Sequence, residues 1–118
     1  MINDQKFSKK IRLLKPSEFQ KIYKHGQWIA NRELVANFKT QKTQISKLGI
    51  TVSKKVSKRA VDRNRIKRQI REWFRKNKLS CLHLDVIITA KPIVNTKTNQ
   101  EIQRSLNDLC KKCKKSAN

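Results

Sequence analysis

The sequence predicts an α+β fold, a single α-β-β-β-α-β-α sandwich in which one sheet is covered by helices. Three observations lead there. The hydrophobic spacing switches from a helical period to strict alternation and back; only two glycines and two prolines punctuate 118 residues, each where a boundary is useful; and no internal repeat divides the chain. At this length one core is expected, because single cores keep growing to about 250 residues. Residues 1–118 therefore read as one domain, with 1–12 and 114–118 as flexible ends.

The first helix is "PSEFQKIYKHG", with Ser17 placed to cap it and Gly26 to end it. Phe19, Ile22 and Tyr23 recur there at helical spacing, together with Leu14. After Gly26 the period becomes two. In "ELVANFKTQ", Leu34, Ala36 and Phe38 face one way and Val35, Asn37 and Lys39 the other, which is a half-buried strand. "WIAN" before it is its hairpin partner or a continuation. "QKTQISK" is a polar loop, and "LGITVSK" sets Leu48, Ile50 and Val52 against Gly49, Thr51 and Ser53 as a third strand.

The central helix lies within "AVDRNRIKRQIREWFRK". Stepping about 100° per residue from Ile66 gathers Ile66, Ile70, Trp73 and Phe74 into one stripe. Lys67, Arg71, Asn64, Arg75 and Arg68 then occupy one contiguous polar face, while Arg65 lies apart. Val61 falls outside the stripe, so the regular helix is expected to begin near Arg63, or the residues before it to bend and bury Val61 elsewhere. "LDVIITAK" follows as a fourth strand, whose continuous apolar run implies burial on both faces. "PIVNTKTNQ" reads as a loop. "NQEIQRSLNDLCKKCKK" reads as a last helix with Ile102, Leu106, Leu109 and Cys113 on one stripe and a basic, fraying end.

Charge narrows the function. Thirty Lys and Arg against eight Asp and Glu give a net charge of +22, a self-repulsion that a compact fold carries when a partner supplies negative charge. An anionic membrane is the rival to nucleic acid. It would need about 20 consecutive apolar residues or a broad apolar face on a helix, and the longest apolar run here is strand-length. The N-terminus carries no apolar signal segment, so a cytoplasmic location is expected. From Ser53 to Lys78 twelve Lys and Arg face only Asp62 and Glu72. A solvated face mixes both signs and gains from i,i+4 pairs, and here Glu72 can serve only Arg68 or Lys76. Phosphate accounts for the excess, since each one neutralised releases condensed counterions. Arginine grips phosphate bidentately, and Asn64 between two arginines can read a base edge or a 2′-OH. Phe19 and Tyr23, one turn apart, are candidates to stack on unpaired bases, with Phe19 equally readable as core.

Three cysteines, Cys81, Cys110 and Cys113, are too few for a disulfide scaffold and read as reduced thiols. Cys81, His83, Cys110 and Cys113 have spacings that could serve zinc, but neither pair sits in the glycine- or proline-bearing turn typical of structural sites.

With these residues in view, the chain resembles the family of protein subunits of bacterial ribonuclease P. The resemblance covers most of the sequence: "PSEFQKIYKHG", the highly specific "GITVSKKVSKRAVDRNRIKRQIREWFR", and "LDVIITAKP". It implies a ribosomal protein S5 domain 2-like fold with a left-handed β-α-β crossover. It also implies removal of the 5′ leader of precursor tRNA, with the catalytic site and its magnesium ions belonging to an RNA subunit. No catalytic residue, protein-held metal, organic cofactor or obligate protein partner is then expected in this chain. Carried over by position, Lys54, Lys55, Lys58, Arg59, Arg63, Asn64, Arg65, Lys67, Arg68, Arg71 and Arg75 would face the catalytic RNA. Phe19, Tyr23, Asn37, Thr51 and Ser53, with Lys67 and Arg71, would line the cleft for the single-stranded leader. Asn37 stands where relatives often carry an aromatic, Ser57 where a glycine is usual, and Asp62 adds an acid beside the Arg-Asn-Arg motif. Cys110 and Cys113 match no motif of the family.

Three other classes fit less well. A protein nuclease needs clustered carboxylates or a histidine with a second acid or base, and the acids are scattered. A structural, ribosomal-type RNA-binding protein shares the composition but has no use for an aromatic cleft. A DNA-recognition helix needs a partner helix across a tight turn, whereas this one lies between strands.

Overall fold

A computed structural model describes residues 12–42, 46–77 and 84–117. The order is β1 (Arg12–Leu13), α1 (Pro16–His25), β2 (Gln27–Ala30), β3 (Leu34–Thr40), β4 (Lys47–Thr51), α2 (Ala60–Lys76), β5 (Leu84–Ala90), a 3-10 turn (Pro92–Thr96) and α3 (Asn99–Ala117). The expected α+β sandwich is present, with additions. Arg12, expected to close a flexible end, joins Leu13 in a short strand that pairs in parallel with β4, the Pro92–Thr96 loop winds into a 3-10 turn, and α3 continues through Ala117.

The sheet order is β1-β4-β5-β3-β2. β5 is central. It runs parallel to β4 and antiparallel to β3, and β2 forms a hairpin with β3, the first of the two readings open for "WIAN". Two adjacent parallel strands cannot be joined by a hairpin, so α2 provides the crossover.

The two faces of the sheet are unequal. Leu34, Ala36 and Phe38 of β3, Leu48 of β4 and Val86 and Ile88 of β5 point into the main core, where Ile66, Ile70, Trp73 and Phe74 of α2 and Ile102, Leu106, Leu109 and Cys113 of α3 meet them. Cys113 is buried there, not at a fraying end, and burial first, with Cys110 nearby, pushes its thiol up to about 12. α2 and α3 are also joined by a polar ladder. Arg65 donates to Asn99 at 2.7 Å, Gln103 to the Gln69 side chain at 2.9 Å, and the Trp73 indole N–H to Asn107 at 2.6 Å. The constant offset of 34 residues shows that the two helices run parallel.

Among the described residues the opposite face carries only α1. Leu14, Ile22 and Ile87 form a second, smaller cluster with Phe19 packed against it. Leu14 belongs to it from the segment before the helix. Pro16 opens α1, and the Lys15 N–H is held by the Glu18 carboxylate at 2.8 Å, so Glu18 does the capping expected of Ser17. Glu18 also accepts from the Lys47 ammonium at 2.7 Å, and this bond, followed by the Lys15 N–H, lowers its pKa. Asp85, in register with Lys47, is shifted the other way because its partial burial penalises the charge. The helix then crosses the strands: the Phe19 ring lies against Gly49 of β4, Ile22 over Ile87 of β5, and Gly26 against the Phe38 carbonyl of β3.

Gly26 is set by that close approach. Its φ of −90° is open to any residue, but a Cβ would sit 2.4 Å from the Phe38 carbonyl oxygen and 2.6 Å from that of Ile22. Both are backbone atoms and cannot move aside cheaply. Gly26→Ala is therefore expected to destabilise the fold by about 1–3 kcal/mol, read as a lowered thermal midpoint; an unchanged midpoint would show that α1 can lift off β3.

Candidate nucleic-acid interface

The basic segment begins where β4 ends. Val52 and Val56 are buried and pin a turn between them, closed by the Val56 N–H on the Ser53 carbonyl at 3.0 Å. Lys54 and Lys55 are exposed at its tip, and Lys58 and Arg59 are exposed just before the helix.

α2 is regular from Ala60, with Val61 left 61% exposed. Both expectations for Val61, a later helix start or a bend that buries it, are thus corrected. The reason lies in Ser57. Its hydroxyl accepts the Arg59 N–H at 3.1 Å and donates to the Asp62 carboxylate at 2.9 Å, while its carbonyl accepts the Arg63 guanidinium at 2.9 Å. These three bonds hold the first turn without a side-chain cap at Arg59. Asp62 is engaged in starting the helix, beside the Arg-Asn-Arg motif.

The polar face has the order expected from the helical wheel, but its members differ in how free they are. Asn64, Arg68 and Arg71 are exposed and Lys67 is half-buried. Arg63 and Arg65 each spend one donor inside the protein, on the Ser57 carbonyl and on Asn99. Arginine has five N–H donors in a fork, so both keep others. Glu72 pairs with Arg75 at 2.6 Å, not with Arg68 or Lys76. The three-residue spacing brings Arg75 within reach, and this bond first lowers the Glu72 pKa.

The aromatic side is on the other face of the sheet. Gly49, Ile87, Asn37 and Trp28 are successive partners across β4, β5, β3 and β2. Direct partners share a face, and Phe19 against Gly49 identifies it as the α1 face. One pleat further, Thr51, Thr89, Val35 and Ala30 form the next row. Phe19 is half-buried and Tyr23 is 50% exposed, their ring centroids 6.4 Å apart at 52°. Phe19 is thus part of the minor core and part of the wall at once. Asn37 and Thr51 are half-buried on the floor, and Ser53, exposed, leads from it into the basic turn.

Trp28 was not among the residues singled out from the sequence. It is 68% exposed and in register with Asn37. The signal was available: once "WIAN" pairs with "ELVANF" as a tight hairpin, counting back through the turn sets Trp28 opposite Asn37. Of the residues weighed for zinc, Cys81 and His83 lie outside the described residues. Among the described residues no three His, Cys, Asp or Glu side chains gather where they could hold a metal ion, and no helix is long and apolar enough to cross a membrane.

Comparison with known proteins agrees with this arrangement. Residues 7–114 match the family model described as Ribonuclease P. The ribonuclease P protein component of Macrococcus caseolyticus is 42% identical over 104 residues, spanning 87% of this chain and 90% of that one. The solved ribonuclease P protein of Staphylococcus aureus superposes with a TM-score of 0.81 at 40% identity, covering 87% of this chain and 94% of that one. That of Thermotoga maritima gives 0.78 at 28% identity, over 86% and 96%.

The different engagement of the arginines has a direct consequence. Arg65→Ala removes a rung of the ladder and should lower stability by about 0.5–1.5 kcal/mol, whereas Arg68→Ala should leave the thermal midpoint unchanged. Equal midpoints for both would show that the Asn99 bond contributes nothing.

Proposed function

Since the chain belongs to the ribonuclease P protein family, and so is the protein component of an endoribonuclease that processes tRNA, we propose that it binds the catalytic RNA through α2 and the basic turn and holds the single-stranded 5′ leader of precursor tRNA on the α1 face. The observation that carries this reading is the division of labour between two surfaces. One is cationic and nearly free of aromatics, fit for phosphates. The other is a shallow floor with exposed rings and side-chain amide and hydroxyl groups, fit for unstacked bases.

On the first surface Lys54, Lys55, Lys58, Arg59, Lys67, Arg68 and Arg71 contact phosphate. Arg63 and Arg65 add their remaining donors to a helix start already fixed by Ser57, and Arg75 contributes a guanidinium partly neutralised by Glu72. Asn64 reads a base edge or a 2′-OH. On the second surface Tyr23 stacks on a base, Phe19 shapes the wall, and Asn37, Thr51 and Ser53 offer hydrogen bonds along the floor. Chemistry would belong to the RNA subunit, whose bound magnesium ions would supply the nucleophile and stabilise the leaving group. The protein binds and orients. Its work takes place in the cytoplasm, where precursor tRNA is made.

A structural RNA-binding protein would use the first surface alone. Tyr23→Ala in the reconstituted holoenzyme should weaken binding of leader-bearing precursor tRNA by about five- to tenfold, the lower range of a lost stacking contact, and leave mature tRNA unaffected. Equal losses for both would remove the leader from the α1 face. Arg68→Ala should weaken assembly with the catalytic RNA and reduce the slope of log affinity against log salt by about 0.7–0.9; an unchanged slope would take Arg68 off the phosphates.

A further inference from the structure

The two tryptophans of this chain are in opposite circumstances. Trp73 is buried and its indole N–H donates to Asn107. Trp28 is 68% exposed, on the edge strand β2, with no hydrogen bond or ring contact among the described residues. A single exposed apolar side chain is ordinary; Trp28 stands out because a second exposed ring, Tyr23 of α1, belongs to the helix that lies over the same face of the sheet.

Its position indicates the contact. Ile29 packs against the main core and Trp28 therefore points to the α1 face, as Asn37 opposite it does. α1 advances across that face from β4 at Phe19, through β5 at Ile22, to β3 at Gly26. Phe19, Tyr23 and Trp28 thus form one series running toward the sheet edge. Asn37 lies on the floor next to Trp28, where its amide can bond the edge of a base. The surroundings are cationic and polar: Lys24 and His25 end α1, and Lys39, on the same face of β3, is exposed. Strands are about 4.8 Å apart, so Trp28 stands some 14 Å from Gly49, room for more than one nucleotide between the first ring and the last.

We propose that Trp28 is a third stacking platform, which takes a base of the single-stranded leader at the β2 edge, with Asn37 beside it as the polar contact. The proposal rests on the reading of the α1 face as the leader surface, and extends it by one subsite that lengthens the bound segment. Stacking tolerates any base, so the site adds affinity without a sequence preference of its own.

The test uses holoenzyme reconstituted with the catalytic RNA and measures affinity for precursor tRNA with a long leader and for mature tRNA. Wild type, Trp28→Ala, Trp28→Phe and Tyr23→Ala are compared. Trp28→Ala should weaken the precursor about five- to thirtyfold with no change for mature tRNA, and Trp28→Phe should recover most of the loss. Bound precursor should also protect the exposed Trp28 emission from acrylamide quenching, with Trp28→Phe leaving only the buried Trp73 signal. If Tyr23→Ala discriminates precursor from mature tRNA and Trp28→Ala does not, the third platform is overturned while the leader surface stands. If neither discriminates, the leader surface itself fails. A Trp28→Ala loss of the same size for mature tRNA overturns the proposal by assigning Trp28 to the tRNA body or to holoenzyme assembly.

Discussion

The structure depends on the pairing of β5 with both of its neighbours. β5 lies at the centre of the sheet, parallel to β4 on one side and antiparallel to β3 on the other. Burial on both faces follows, with Val86 and Ile88 toward α2 and α3 and Ile87 toward α1. The parallel half of the pairing requires a crossover between β4 and β5. That crossover is α2. The strongest concentration of charge is thus carried on an element the sheet cannot do without, held down by four apolar side chains and a three-rung ladder to α3.

The acids show how a chain of net charge +22 stays folded. Every acid among the described residues has a local task. Glu18 ties α1 to β4, Glu33 accepts from Ser105, Asp62 helps start α2, and Glu72 holds Arg75. Asp85 accepts the Lys47 N–H, Glu101 the Thr98 N–H, and Asp108 lies near Lys112. These exposed or half-exposed contacts contribute little each. Their effect is to place negative charge where it closes turns and joins elements, leaving Arg68 and Arg71 on the outer face of α2 and Lys54 and Lys55 at the turn unneutralised. A polyanion is the kind of partner that would relieve the repulsion there.

Much of this was legible in the chain, because periodicity is a local property. The stripe of Ile66, Ile70, Trp73 and Phe74 and the alternation of Leu34, Ala36 and Phe38 follow from 3.6 and 2 residues per repeat, and both are buried as expected. The cationic face was legible for the same reason. Where expectation failed, a particular hydrogen bond or packing contact decided, which hydrophobic period does not report. Val61 was expected either to precede the regular helix or to be buried by a bend, yet Ser57 starts the helix early enough to include it and leave it in solvent. Ser17 was the better cap by residue type, but Pro16 opens the helix and the Glu18 carboxylate reaches Lys15. Cys113, placed on the apolar stripe of α3, is buried with it, while the fraying expected around it is absent because α3 continues through Ala117.

The sequence by itself determined the main helices and strands, the residues of the main core, the sign and place of the charge and, through its motifs, the family. These are readable because each depends on neighbours within a turn of helix or a pleat of strand. Only the tertiary structure decided which arginines are free and which are ladder rungs, and that Phe19 rests on Gly49. It also decided that Trp28 stands beside Asn37 on the α1 face. Those relations join residues that are 9 to 34 positions apart, and strand register and helix packing, not local period, bring them together.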